Sequence, residues 1–396
     1  MNSTSRGSVH GSSSAIANGS GKTGVVVRGV VYGGSGYADD TRGIIFGLQS
    51  AGVAVQVEPV EFQFDVQELL TIDEREALEV AKHTRVDIAK SILLQNFPAH
   101  DFSLSMHAHK RVGRTMYETD SIPDGWTESC EAMDEIWVPS TFNCETFARA
   151  GVTPEKLHAL PEGVDTTAYH PDVEPLPIPE RKGFNFLSVF EWIQRKGPDA
   201  LLRAYLSEFS PEEDVALVLK AYGRPDPSVD MLPRILYFIE REMGMRIEDA
   251  PSIVLLAPGF LRTEDMPRLY AAADAFVLPT RGEGWGRPFM EALACERPVI
   301  ATRWSGHMDF LHDGICELVA CDVMPVPWNI DVELSAGHRA AEPQVEDLRR
   351  CMRRVFEKRA EAKAKAVKGR EEMQAKWDWN TVVRERWAPE IERLLA

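Results

Sequence analysis

Short apolar runs, rich in β-branched and aromatic residues, alternate along this chain with longer stretches in which apolar residues recur every three or four positions. The first pattern predicts buried strands and the second predicts helices. In the first half, strands are expected at 24–31, 53–57, 92–96, 111–118, 135–139 and 157–160. Helices are expected from Tyr37 to Leu48, stopping near Gly52, and at 74–83, 124–133 and 141–150. Ser140 is placed to cap the last of these. The second half restarts the alternation, with strands at 184–190, 215–219, 253–257, 275–279, 299–301 and 318–319. Helices are expected at 198–209, at 263–273, after Pro288, and from Leu348 onward, with Asn380 as the cap of a final helix. The helix at 198–209 shows the spacing plainly, with Leu201, Leu202, Tyr205, Leu206 and Phe209 on one face. Repeated strand–helix units predict parallel sheets, so each half is read as an α/β unit.

Composition adds limits to this picture. A chain of 396 residues is long for one domain and suits two. Four prolines within 171–179 make a stiff, non-helical connector, so the boundary is placed there. The expected division is a disordered Ser/Gly-rich tail at 1–22, a first domain at 23–170, a linker at 171–182, a second domain at 183–375 and a last helix at 376–396. No apolar run reaches the length of a membrane span. The formal net charge of −17 disfavours nucleic-acid partners, which need Lys/Arg surfaces. Six cysteines, at 130, 144, 295, 316, 321 and 351, show no Cys-x-x-Cys spacing. That scatter favours a reducing cytoplasm over a zinc site. The charged run 357–368 is read as a solvated helix face.

Chemistry concentrates at Arg281-Gly282-Glu283-Gly284-Trp285-Gly286-Arg287-Pro288-Phe289-Met290-Glu291. The string follows an expected strand and opens an expected helix, with Pro288 suited to its start. Glu283 falls in the turn, and Glu291 is read into the first helical turn. Backbone N–H groups near Gly284 and Gly286 would face a crevice where a diphosphate fits, since free N–H groups and the helix dipole both favour negative charge. The carboxylates then suit hydroxyls, Glu283 those of a sugar and Glu291 those of a ribose. A second cationic site is Arg195-Lys196-Gly197-Pro198, where a forked and a point charge meet another helix start. Tyr32-Gly33-Gly34-Ser35-Gly36-Tyr37 forms a Gly-rich loop after the first strand but lacks GxGxxG. No Asp-x-Asp or His/Glu cluster has metal-ligand spacing.

Glu283, Gly284, Trp285, Gly286, Pro288 and Glu291 together resemble the Glu-x7-Glu signature of the retaining group 1 (family 4 type) glycosyltransferases of GT-B fold. Arg195-Lys196-Gly197 and Pro161-Glu162-Gly163-Val164-Asp165 are similar to further family strings. The resemblance is strong from Phe186 to Leu311, usable from Gly113 to Asp165 and faint before that. It implies two Rossmann-like doubly wound domains flanking a cleft, and metal-independent transfer of a sugar, with retention, from a nucleotide-diphosphate sugar to a hydroxyl acceptor. It implies no cofactor, a UDP- or GDP-sugar donor, and a sugar or glycoconjugate acceptor. Glu283, Arg195 and Lys196 are then the catalytic candidates. Gly284, Trp285, Gly286, Arg287, Glu291, Gly259, Phe260 and Lys220 are the donor-binding candidates. Gly34, Ser35, Gly36, Glu118, His107 and His109 are candidates for the acceptor side of the cleft. Phe190-Glu191 departs from the family's Gly-Arg, with Lys220 as a possible substitute for the lost phosphate contact, and Glu118 stands where relatives carry His. Arg111 and Arg114 are read as solvent-exposed, with contact to a negatively charged acceptor as the alternative, and Asp309 is read either as a ligand contact or as a helix cap. Another GT-B enzyme, a nucleotide-sugar epimerase or a sugar phosphorylase, and a non-catalytic nucleotide-sugar binder are the alternatives.

Overall fold

The computed structural model describes residues 21–61, 66–223, 226–326 and 337–396. Apart from Gly21 and Lys22, the tail expected at 1–22 lies outside them. Two six-stranded parallel sheets organise the chain. The first holds β1 (Val25–Val30), β2 (Val55–Val60), β3 (Ile92–Asn96), β4 (Lys110–Arg114), β5 (Glu135–Val138) and β6 (Leu157–Ala159), in the order β2-β1-β3-β4-β5-β6. The second holds β7 (Phe184–Glu191), β8 (Val215–Tyr222), β9 (Ser252–Leu255), β10 (Ala275–Leu278), β11 (Val299–Thr302) and β12 (Glu317–Val319), in the order β12-β11-β10-β7-β8-β9. Apolar residues line up across neighbouring strands, as where Val27 sits between Val57 and Leu94. Burial on both sheet faces explains why the strands read as continuous apolar runs.

Helices α1 (Gly36–Ser50), α2 (Ile72–His83), α3 (Trp126–Glu131) and α4 (Thr141–Arg149) link the first sheet. The links of the second are α5 (Pro198–Glu208), α6 (Leu232–Tyr237), α7 (Asp265–Ala271) and α8 (Arg287–Ala294). An antiparallel hairpin, β13 (Cys321–Pro325) with β14 (Arg339–Pro343), follows β12. Then come α9 (Val345–Glu357), α10 (Arg359–Glu372), α11 (Trp379–Val382) and α12 (Ala388–Leu395). Ser140 caps α4, accepting from the Asn143 N–H. The final helical stretch is capped instead by Asp378, which accepts from the Asn380 N–H, because Asp378 is the residue with extended backbone there. The strand expected at 111–118 ends at Arg114, since the chain then turns into the space between the sheets. The charged run lies on α10, but Ala362 and Ala366 are buried within it, so that helix has a packed face as well as a solvated one. Hairpin β13–β14 and helix α6 were not expected.

Each sheet has its own core, and the last helices of the chain return to the first one. Val382, Val383, Trp387, Ile391 and Leu394 pack with Val27, Ile44, Leu94 and Trp137 of the first sheet's core. The Trp387 ring meets Trp137 edge-on at 5.4 Å, lies under the Arg114 guanidinium at 5.1 Å, and donates its indole N–H to the Pro161 carbonyl at 3.0 Å. Trp387→Ala removes that packing and leaves a buried carbonyl unpaired, so it should cost about 3–5 kcal/mol. Urea unfolding checks this, with the loss expected in a transition that reports the first sheet.

Candidate functional site

The strands of both sheets point their carboxyl ends at a common cleft, where open α/β sheets hold their ligands. β10 delivers the chain into it. The Arg281 N–H donates to the Arg195 carbonyl at 2.6 Å, and the Arg281 guanidinium donates to the Gln194 carbonyl at 2.7 Å. The same guanidinium grips both oxygens of Asp199 at 2.7 Å and both of Glu342 at 2.7 and 2.8 Å. Only 3% exposed, Arg281 therefore locks the turn after β10 to the turn after β7. From the other side, the Glu283 N–H donates to Ser305 Oγ, and the Gly306 N–H donates to the Glu283 carbonyl. Gly282 must be glycine here, because a Cβ on it would lie 2.0 Å from the Glu118 carbonyl oxygen.

That framework brings Glu283, Lys196, Arg195 and Glu118 together. Lys196 Nζ donates to both Glu283 oxygens, at 2.6 and 2.8 Å. Arg195 reaches Glu283 Oε2 and Glu118 Oε1, each at 3.2 Å, and the Gly282 carbonyl at 2.6 Å. Burial alone would raise the Glu283 carboxyl, but the two cations outweigh it and hold it at about 2. The Lys196 ammonium moves down as well, against what its partner alone would do, because burial and the like charge of Arg195 oppose Glu283. The short contacts to both Glu283 oxygens are those of an ammonium on a carboxylate.

α8 supplies a different kind of group. Its cap is Gly286 at φ 107°, a conformation that glycine adopts without strain. The N–H groups of Gly284, Trp285 and Gly286 make no hydrogen bond with the described residues. Free donors at a helix start next to two cations form an anion cradle. Glu291 lies in the second turn of α8 rather than the first, since the helix starts at Arg287. It accepts from the Tyr270 hydroxyl at 2.9 Å and from Arg287 at 3.5 Å, and burial raises its carboxyl despite Arg287. After β9 of the same sheet, the Phe260 ring packs on Tyr222 and reaches Gly34 of the other half, while Gly259 sits in a turn at φ 88°. Ser35 caps α1, and Gly36 begins it.

Several sequence candidates fall elsewhere. Trp285 is 2% exposed and packs on Phe310 and Trp377, so its ring belongs to the core and not to a donor surface. Lys220 gives its ammonium to the Ala257 carbonyl at 2.6 Å instead of to the cradle. His107 and His109 are exposed and precede β4, at the end of that strand opposite the cleft. Arg114, expected at the surface, is fully buried on Asp40 at 2.9 and 3.1 Å, whereas the partly exposed Arg111 lies beside Asp134. Asp309 does cap a helix, but one in the other half: it accepts from the Thr141 N–H at 2.8 Å and hydroxyl at 2.6 Å, at the start of α4. The grouping of Glu135, His158 and Glu390 has metal-ligand spacing, yet it lies at the amino end of β5 and holds the Arg393 guanidinium. Sequence reasoning missed Arg281, Tyr270 and Glu342. An arginine directly before the Gly-rich turn was the one available signal.

Comparison with known proteins places this geometry. Residues 181–325 match the family described as Glycosyl transferases group 1. The chain is 28% identical over 163 residues to mannosylfructose-phosphate synthase of Agrobacterium fabrum, covering 39% of this chain and 34% of that protein. It is 30% identical over 193 residues to a GDP-mannose-dependent alpha-(1-6)-phosphatidylinositol monomannoside mannosyltransferase of Mycolicibacterium smegmatis, covering 46% and 47%. The matched segments thus span only a third to a half of those relatives. The fold is similar to that of Anabaena HepE, solved with UDP and glucose, at a TM-score of 0.64, 14% identity, and coverage of 93% of this chain and 99% of that one. The architecture is GT-B.

The Glu283 ion pairs make a prediction about acid stability. A carboxyl held at about 2 in the folded chain and near 4.5 when unfolded stabilises the fold fully above pH 4.5. The contribution, on the order of 3 kcal/mol, is lost as pH falls toward 2. Relative to Glu283→Gln, wild type should therefore lose stability between pH 5 and pH 2, with the difference flat from pH 5 to 7. Guanidinium unfolding across that range checks it.

Proposed function

On the premise that residues 181–325 form a group 1 glycosyltransferase domain within a GT-B chain, we propose that this protein transfers a sugar, with retention, from a nucleotide-diphosphate sugar to a hydroxyl acceptor. The observation that carries this reading is the buried Glu283 carboxylate, held ionised by Lys196 and Arg195 beside three unengaged backbone N–H groups at the start of α8.

The hard step is breaking the bond between the anomeric carbon and the diphosphate. Charge builds on the leaving oxygens while the sugar ring becomes oxocarbenium-like. The N–H groups of Gly284 to Gly286, with Lys196 and Arg195, are fixed in advance to receive that charge, and such preorganisation is commonly the largest catalytic term. Lys196 and Arg195 face Glu283, Glu118 and Glu191, so the site is not strongly cationic before a donor arrives. The dipoles of the turn then matter more than net charge. Glu283, already deprotonated, accepts hydrogen bonds from donor-sugar hydroxyls. Glu291 accepts from ribose, and the Gly259–Phe260 turn lies beside the base. Glu118 approaches from the acceptor side through Arg195. With cations and dipoles balancing the phosphates, the reaction proceeds without a metal, and front-face attack guided by the leaving phosphate gives retention.

The donor nucleoside is uridine or guanosine. HepE was solved with UDP, and the mycobacterial relative is named for GDP-mannose. All six cysteines are free thiols, which supports a reducing compartment. No helix among the described residues is long and apolar enough to cross a membrane.

Four outcomes are expected. In a thermal-shift panel of UDP, GDP, ADP and dTDP, UDP or GDP should raise the melting temperature with concentration, and a flat panel would remove the donor assignment. With the matching sugar nucleotide, Glu283→Gln should lower kcat by at least about a hundredfold. Activity should survive EDTA, and the product's anomeric configuration, read by NMR, should match the donor's. An inverted product overturns the retaining mechanism.

A further inference from the structure

Most charged groups along the floor of the cleft have partners within the chain. Asp40 is held by Arg114 and Asn96, Asp39 by Arg42, and Glu291 by Tyr270. Two groups differ. Glu162, just after β6, is 2% exposed, and its Oε2 is buried with no hydrogen-bond partner. Arg287, the first residue of α8, uses Nη2 on Glu291, while its Nε and Nη1 are buried and unpartnered. The two residues come from opposite halves of the chain and act on each other electrostatically, but no ion pair forms between them.

Leaving buried polar atoms unpaired costs folding free energy, and native structures seldom do so without a reason. We propose that Glu162 and Arg287 form a hydroxyl-binding subsite across the cleft, taking a sugar, ribose or polyol hydroxyl between the carboxyl oxygen and the guanidinium. The chemistry of the walls selects this class. A group that fits between them must accept from Arg287 and also exchange a hydrogen bond with Glu162. A phosphate could accept from both only while Glu162 is protonated, and it would still meet the charges of Asp39 and Asp40. An ammonium only donates, and Arg287 repels it. A hydroxyl does both. It also suits either state of Glu162, whose carboxyl is pushed up to about 8 by burial and then by Asp40, against Arg287 and Arg114. The subsite takes one residue from each half, so it exists only where the two halves meet.

The subsite rests on the transferase reading for the identity of its ligand, and the hydroxyl has two possible sources, the nucleotide's ribose or the acceptor. Calorimetry on the full chain separates them. One arm titrates UDP and GDP together with their 2′-deoxy and 3′-deoxy forms. The other titrates myo-inositol, glucose and mannose in the presence of the nucleotide. Glu162→Leu keeps the volume and removes the polar atoms, so affinity should fall roughly tenfold in one arm, with a smaller fall for Glu162→Gln. If ribose is the source, wild type should favour the ribonucleotide over one deoxy form, and Glu162→Leu should lose that preference. If the acceptor is the source, polyol binding should fall while the nucleotide preference stays. Both variants should melt no lower than wild type, because they remove an unpartnered buried carboxyl, so lost binding cannot be ascribed to misfolding. Affinities in both arms within twofold of wild type, for Glu162→Leu and Arg287→Leu alike, overturn the subsite and leave water as its occupant. Wild type that binds neither UDP nor GDP overturns the donor reading instead, and the subsite is then decided by the polyols titrated alone.

Discussion

A carboxylate removed from water has to be paired, and at Glu283 that requirement reaches far beyond one side chain. Its two cations sit on the turn after β7, while Glu283 itself sits on the turn after β10. The pairing works only if these turns keep a fixed distance, and Arg281 supplies that distance. Its guanidinium spans Asp199 on α5, Glu342 on β14 and the Gln194 carbonyl. Four segments are thus fixed by one planar group. Lysine, a point charge with rotating donors, would not hold them in the same way.

The two halves meet over the same region. Gly282 lies against the Glu118 carbonyl, Arg195 pairs with Glu118, and Asp309 caps the start of α4. Hairpin β13–β14 adds a strap, with His338 bonded to Thr119 at 2.8 Å and the Arg339 N–H donating to Asp120 at 2.6 Å. The loop that carries Glu118 is therefore flanked by contacts from the other half, so the two walls of the cleft are registered to each other directly.

The alternation of apolar and amphipathic segments carried the strand–helix order of both sheets, because parallel strands buried on two faces leave uniform apolar runs. The motif string also marked the turn after β10 and its helix correctly. Side-chain direction was harder to read. Trp285 sits inside the motif, yet its ring turns into the core, which residue type and spacing do not disclose. His107 and His109 adjoin the right strand at its wrong end, because a strand's polarity relative to the cleft emerges only from the assembled sheet. Lys220 is cationic and well placed in sequence, but a carbonyl one strand away takes its charge. Arg114 is a charged residue whose burial depends on Asp40, 74 positions earlier. Hairpin β13–β14 was invisible because its strands are half polar and pair only with each other.

The chain's route has a consequence for its synthesis. Val382 to Leu394 complete the core under the first sheet, yet the ribosome makes them after every strand of the second. Until they arrive, Val27, Ile44, Leu94 and Trp137 lack part of their cover, and Trp387 cannot close over Arg114 and Pro161. The half that emerges first is the half that finishes last, and during that wait its incomplete apolar face is the surface a chaperone would recognise.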